Sequence, residues 1–312
     1  MARVLVTRRL PDGGLDPLDG HEIVQRDDDR PLTHDELVAE VAGVDAVVCL
    51  LTDRIDARVI DAGAGRLKVI GNVAVGFDNV DVAAASAQGV AVCNTPGVLD
   101  ETTADLALAL ILAASRLLPE AEADVRARRW QGWGIGQYLG RDVHGATLGL
   151  VGYGRIGRAV ARRGAGFDMR VLHHARHDTG VAGFVADLDA LVAEADIVSL
   201  HVPLSEETRH LFDARRLAQM KSTAVLVNTS RGPVVDEEAL AAALEEGTIF
   251  AAGLDVYERE PDVHPRLLAA PRTVLLPHIG SASVATRTRM ARVASEGVRA
   301  VLAGERPPNL VT

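Results

Sequence analysis

The stretch Ala146-Thr147-Leu148-Gly149-Leu150-Val151-Gly152-Tyr153-Gly154-Arg155-Ile156-Gly157-Arg158-Ala159-Val160-Ala161 decides how the chain folds. A short apolar run turns through three closely spaced glycines into a helix-forming segment. Gly152 permits a tight turn, Gly154 lets the backbone approach a pyrophosphate, and Gly157 lets a helix pack on the strand before it. The first amides of that helix stay unpaired and suit an anion. Three glycines alone are a weak signal, but set between a strand and a helix they read as a dinucleotide-binding turn.

Outward from this turn, short apolar runs recur between amphipathic segments. Residues 4–6, 46–51, 69–70 and 91–93 form one series, and 147–151, 170–173, 197–200, 224–228, 253–256 and 274–276 a second. The alternation predicts βαβ units and an α/β fold with two doubly wound parallel sheets. A chain of 312 residues also exceeds the usual size of one core, so two domains with a cleft between them are expected. Residues 1–98 with 284–312 are expected to form one, and 99–283 the other, a Rossmann domain. The Ala/Leu-rich segment 100–129 is apolar around much of its circumference and must be covered, either within one protomer or at a dimer contact. Residues 283–302 read as a helix returning the chain to the first domain.

Composition removes several classes of function. With 48% hydrophobic residues but only 3% aromatics, an Ala/Val/Leu-rich α/β core is favoured over a β-sandwich. A net charge of −10 leaves no cationic surplus for counterion release, so no nucleic-acid partner is expected. Cys49 and Cys93 sit in apolar runs and read as reduced core residues. Histidines and cysteines form no ligand-spaced cluster, so no metal is expected. The start leads directly into a strand-like run, and residues 106–114 are too few to span a bilayer. A cytoplasmic protein without a membrane partner is the expectation.

The strand after the glycine turn bears on the cofactor. NAD binding normally places an acidic residue about 20 residues beyond the glycines, where it holds the ribose hydroxyls. Here Arg170-Val171-Leu172-His173-His174-Ala175-Arg176 puts His174 near that position and Arg176 close by, with Asp178 beyond the strand. A phosphorylated ribose would meet positive charge, so NADP(H) is expected in preference to NAD(H). The competing reading leaves Arg176 simply solvated.

Arg231, Glu260 and His278 follow apolar runs late in the second series, where strand ends line the ligand crevice of such folds. Arg231 offers a fixed fork of donors for a carboxylate. His278 can give a proton to a carbonyl oxygen as hydride reaches its carbon. Glu260 could orient that imidazole and favour its charged form. Singly they read as a surface arginine, a helix-starting Glu-Pro and a loop histidine; together they read as carbonyl-reduction machinery.

Over essentially its full length the chain resembles the D-isomer-specific 2-hydroxyacid dehydrogenases. The resemblance rests on Val75-Gly76-Phe77-Asp78-Asn79-Val80-Asp81, Asn94-Thr95-Pro96-Gly97, the glycine turn, Asn228-Thr229-Ser230-Arg231-Gly232, Gly253-Leu254-Asp255-Val256 and Pro277-His278-Ile279-Gly280-Ser281. It implies a flavodoxin-like substrate domain beside the Rossmann cofactor domain. It makes Arg231 the binder of the 2-oxo acid, His278 the general acid in reduction and Glu260 its support, with Glu258 as the competing carboxylate. Backbone amides around Val75 and Gly76 would grip the substrate carboxylate. Cofactor contacts are implied for Arg155, Ile156, His201, Val202, Pro203, Thr208, Asn228, Thr229, Ser230, Asp255, His278 and Gly280.

Within the family, the missing ribose acid and the residues around His174 are most similar to glyoxylate/hydroxypyruvate reductases that use NADPH. Trp133, with Trp130, would then reach a partner protomer's pocket or pack in a hydrophobic interface, in a homodimer formed through the cofactor domain. Phosphite dehydrogenases carry a substrate lysine where this chain has Val75, and phosphoglycerate dehydrogenases usually add a regulatory domain, so both rank lower. A corepressor-like, nucleotide-sensing interaction protein is the alternative from another class.

Overall fold

The computed structural model describes residues 1–26 and 28–311. The chain divides into two compact units, one of Met1–Leu99 with the chain from Ser281 onward, the other of Asp100–Gly280.

Unit 1 begins with β1 (Arg3–Val6), β2 (Glu22–Gln25), α1 (His34–Val41), β3 (Ala46–Cys49), α2 (Ala57–Ala62), β4 (Val69–Asn72), α3 (Val82–Ala87) and β5 (Ala91–Cys93). Each helix starts where a side chain takes an orphan amide: Thr33 accepts from Glu36 N, Asp56 from Val59 N and Asp81 from Ala84 N. The strands form one parallel sheet in the order β2-β1-β3-β4-β5. β3 and β4 are buried along their whole length. β2 lies outside the expected strand series because it is an edge: Glu22 and Ile23 are exposed, so no apolar run marks it.

Unit 2 runs through α4 (Asp100–Ser115), α5 (Leu118–Arg126), β6 (Thr147–Val151), α6 (Arg155–Ala165), β7 (Arg170–His174), α7 (Leu188–Glu194), β8 (Ile197–Leu200), α8 (Ala214–Leu217), β9 (Val225–Asn228), α9 (Glu237–Glu245), β10 (Ala251–Leu254), α10 (Pro265–Ala269) and β11 (Thr273–Leu275). Its parallel sheet has the order β11-β10-β9-β8-β6-β7. The last helix, α11 (Val284–Leu302), capped by Ser283, returns to unit 1. There it packs on β4, where a Cβ on Gly71 would lie 2.7 Å from Val298 Cγ2.

The segment 100–129 is two helices rather than one continuous helix. Pro119 has no N–H to give the Ser115 carbonyl, which instead accepts from Arg141 N at 2.7 Å. Leu117 turns left-handed at φ 53°, and α4 and α5 bend by 69°. α4 is covered within unit 2, where Ala104, Ala107, Leu110 and Ile111 pack with Leu148, Leu150, Val225 and Val227. Truncating Leu110 there would cost about 2–5 kcal/mol. Among the described residues no single helix is long and apolar enough to cross a membrane.

Candidate active site

β6 and α6 meet at the glycine turn. Gly152 stands at φ +96°, and a Cβ on it would lie 2.6 Å from the His201 carbonyl oxygen. A Cβ on Gly157 would collide with the Gly152 carbonyl, whereas one on Gly154 meets nothing within 4 Å. The backbone ladder of α6 opens with Arg158 N to Gly154 O at 3.0 Å, so the amides of Arg155, Ile156 and Gly157 are not spent inside the helix. A turn with its backbone bare at Gly154 and donors at the helix start fits a dinucleotide pyrophosphate. Just beyond β9, the Thr229 hydroxyl is likewise buried with no partner among the described residues, a polar atom left for a bound group.

β7 ends at His174, which is half-buried with Nδ1 3.1 Å from Val185 O. Arg176 is exposed beyond it, and Asp178 turns back to accept from Gly180 N at 2.9 Å. His201 pairs through Nε2 with Ser199 Oγ at 3.0 Å, and burial pushes its imidazole down to about 4. Val202 and Pro203 follow it. The Thr208 hydroxyl donates to Pro203 O at 2.7 Å and accepts from Ser205 N at 2.8 Å, serving the turn itself.

At the end of β9, Asn228 organises the loop that carries Arg231. Its Oδ1 accepts from Ser230 N and Ser230 Oγ, at 3.0 and 2.8 Å, and its Nδ2 donates to Arg231 O at 2.9 Å. Gly232 lies so close to the Tyr257–Glu258 backbone that any Cβ would overlap it. That contact brings the Arg231 loop against the loop that carries Glu260.

Glu260 and His278 meet. His278 Nδ1 is 2.7 Å from Glu260 Oε2, while Glu260 Oε1 accepts from Tyr257 N at 3.1 Å. Burial pushes the Glu260 carboxyl up, but the hydrogen bond and charge of His278, the Tyr257 amide and nearby Arg231 outweigh it and hold the group below its usual range. His278 sits at φ 54°, a left-handed conformation rare for residues other than glycine. Asp255 fixes that turn: its two carboxylate oxygens accept from Ile279 N and Gly280 N, each at 2.7 Å. Burial raises the Asp255 carboxyl above its usual value despite those two amides and His278. Tyr257 braces the same corner through its hydroxyl, which donates to Leu276 O at 3.0 Å. No feature of the sequence had singled out Tyr257. Glu258 does not join this group, since it accepts from Glu237 N at 3.0 Å and pairs with His210 at 3.2 Å.

In unit 1, the Val75–Gly76 loop is held by its carbonyls. Asn94 Nδ2 donates to Val75 O at 2.8 Å and Asn72 Nδ2 to Gly76 O at 2.9 Å, while the amides of Val75 and Gly76 bond to nothing among the described residues. In unit 2, Trp133 and Trp130 lie in the loop after α5, 81% and 52% exposed. Among the described residues no group of His, Cys, Asp and Glu is arranged to hold a metal.

Residues 108–280 match the model of the D-isomer specific 2-hydroxyacid dehydrogenase NAD binding domain. The chain belongs to that family. A glyoxylate reductase of Korarchaeum cryptofilum is 49% identical to it, over 99% of this chain and 95% of the relative. A solved structure from Thermus thermophilus is 48% identical and superposes with a TM-score of 0.94, covering 99% of this chain and all of the other. The NADPH-dependent glyoxylate/hydroxypyruvate reductase of Sinorhizobium meliloti, solved with citrate, is 34% identical with a TM-score of 0.88 over 100% of this chain and 98% of that one. The protein is therefore an NAD(P)-dependent D-2-hydroxyacid dehydrogenase, an oxidoreductase that passes hydride between NAD(P)H and a small 2-oxo acid.

Proposed function

We propose that this enzyme reduces glyoxylate or hydroxypyruvate to the D-2-hydroxy acid, with NADPH preferred over NADH. The observation that carries this reading is the His278–Glu260 pair at 2.7 Å, next to the loop of Arg231, in a chain whose relatives are named glyoxylate reductases. NADPH, when bound, supplies the hydride. His278 gives the proton to the carbonyl oxygen from Nε2, because Nδ1 is engaged by Glu260. Glu260, ionised and braced by Tyr257, stabilises the imidazolium that must be ready to give that proton. Arg231 binds the 2-oxo acid carboxylate.

Gly152, Gly154, Gly157, Arg155 and Ile156 hold the pyrophosphate, Thr229 and its neighbours Asn228 and Ser230 line the cofactor, and Arg176 with His174 takes the ribose phosphate. The absence of an acid at the end of β7 supports the NADPH preference. Roles for His201, Val202, Pro203, Thr208, Asp255 and Gly280 beside the cofactor belong to the same reading. Following NADPH and NADH oxidation against glyoxylate, hydroxypyruvate, pyruvate and bulkier 2-oxo acids tests it. The expected result is highest kcat/KM for glyoxylate or hydroxypyruvate with NADPH. Tighter binding of NADH would overturn the cofactor preference, and NADPH binding without any reduction would favour a nucleotide-sensing role.

We also infer a cytoplasmic homodimer formed through unit 2. Leu118, Val125, Trp130, Trp133, Ile135 and Leu139 are exposed along α5 and the loop after it, an unusual run of apolar surface. The two buried free cysteines suit a reducing compartment. Sedimentation equilibrium should give twice the chain mass, and Trp133→Ser with Ile135→Ser should shift it toward the monomer.

A further inference from the structure

His173 is a polar residue with no solvent exposure, one position before the end of β7. Its ring stacks on the Tyr153 ring, with centroids 3.7 Å apart and planes inclined by 20°, and Phe184 leans against it at 5.8 Å. Tyr153 lies between Gly152 and Gly154 and is itself covered by the Arg158 guanidinium. On its other side, His173 Nε2 meets Thr179 Oγ1 at 2.7 Å, while Nδ1 is buried without a partner among the described residues. Backbone bonds from His173 N to Gly183 O and from Val185 N to His173 O, both 2.8 Å, anchor the far end of the same excursion.

One imidazole therefore touches two segments: the glycine turn, through Tyr153, and the loop that follows β7, through Thr179. Arg176 is carried on that loop, between the anchor at His174 and the anchor at Thr179. Burying a histidine in a strand is costly unless its polar atoms are used. Phenylalanine or leucine would fill the same space without that cost, so the Thr179 bond is the feature that only a polar ring supplies. Burial pushes the imidazole down, with Asp178 opposing and Arg158 adding to the effect, so the ring stays neutral and can hold this bond near neutral pH. The Thr179 hydroxyl also accepts from Val181 N at 3.3 Å, which fixes the exit of the loop.

We propose that His173 is a positioning residue for cofactor selection: it locks the loop bearing Arg176 to the glycine turn, so that the ribose-phosphate and pyrophosphate contacts keep a fixed spacing. The inference rests on the NADPH reading given above. It goes beyond it by placing part of the discrimination in a buried residue of β7.

The test is direct binding of NADPH and NADH to the cofactor-free protein, read by nicotinamide fluorescence. His173→Phe retains the stack and loses the Thr179 bond; Thr179→Val removes the same bond from the partly exposed partner and serves should the first variant fold poorly. Each is expected to weaken NADPH roughly three- to tenfold, the equivalent of one lost hydrogen bond. NADH binding should stay within about twofold, and the double variant should add little to either single one. Equal loss of both cofactors, or an unchanged NADPH-to-NADH ratio in both variants, would overturn the proposal while leaving the NADPH preference intact. A wild-type protein that binds NADH more tightly would remove both.

Discussion

Both units carry the same sheet arrangement around their first strand, yet the turns that follow those strands have opposite chemistry. β1 lies between β2 and β3, and β6 lies between β7 and β8, so strand order reverses beside each. In open parallel sheets that reversal creates a crevice at the strand ends. After β6 the chain passes through Gly152 and Gly154 directly into α6, whose first amides are unspent. After β1 it passes through Thr7-Arg8-Arg9 and only a 3-10 turn at Asp16–Leu18 before β2. No α-helix lies between β1 and β2 among the described residues. Instead Asp53 lies buried beside that crevice, accepting from Thr7 Oγ1 at 2.5 Å and Leu50 N at 2.8 Å. A buried carboxylate is the wrong neighbour for a pyrophosphate. Topology supplies the crevice, and the residues at the switch decide what enters it.

If the chemistry belongs to the strand ends of unit 2, removing its proton donor should produce the largest effect. His278→Ala is expected to lower kcat about 10²–10⁴-fold, with NADPH affinity changed less than about twofold. Stopped-flow turnover beside a cofactor titration separates the two, and undiminished turnover would take His278 out of the mechanism. Next in size is Gly157→Ala. The added Cβ collides with the Gly152 carbonyl, so the turn must move, and NADPH affinity should fall at least about tenfold. Retained affinity would show that the close packing of helix on strand is not what shapes the turn.

How much of this contrast could be read in advance differs between the units. The glycine turn was legible because each glycine answers a local requirement within a few residues, and the interior strands because burial on both faces leaves continuous apolar runs. β2 escaped notice because one edge strand with Glu22 and Ile23 exposed has no such run. The pairing of Glu260 with His278 was legible as a juxtaposition of types, but what builds it was not. Tyr257, the overlap-free fit of Gly232 against the Tyr257–Glu258 backbone, and the left-handed turn at His278 fixed by Asp255 are long-range contacts that leave no periodic trace. Likewise the break between α4 and α5 was not legible in the continuous Ala/Leu-rich pattern of 100–129, although Pro119 stands there; the bond from Arg141 N to the Ser115 carbonyl shows how the chain turns.

A smaller effect should appear in unit 1. Thr7→Val removes one donor from the buried Asp53 carboxylate at nearly constant shape, and should cost about 1–3 kcal/mol of stability in urea titrations. NADPH binding should be untouched. A loss of cofactor affinity would mean that the β1 crevice takes part in binding after all, and the division of labour drawn above would fail.

The smallest effect is one of sign. Glu260 is held below its ordinary 4.5, so its contribution to stability is fully present above that pH and is lost as pH falls through the lowered value. Asp53 is the reverse. Burial raises its carboxyl above the ordinary 3.8, with Leu50 N, Thr7 and Arg8 only partly opposing, so the stability linked to its proton is present below 3.8 and is lost as pH rises through the raised value. On acidification from neutral pH, the advantage of the wild type over Glu260→Gln should therefore shrink, while its standing against Asp53→Asn should improve. Urea midpoints measured from about pH 7 to about pH 3 read both differences on one protein. Two slopes of the same sign would mean that one of these two carboxylates, the His278 partner in unit 2 or the buried Asp53 in unit 1, is not in the environment described.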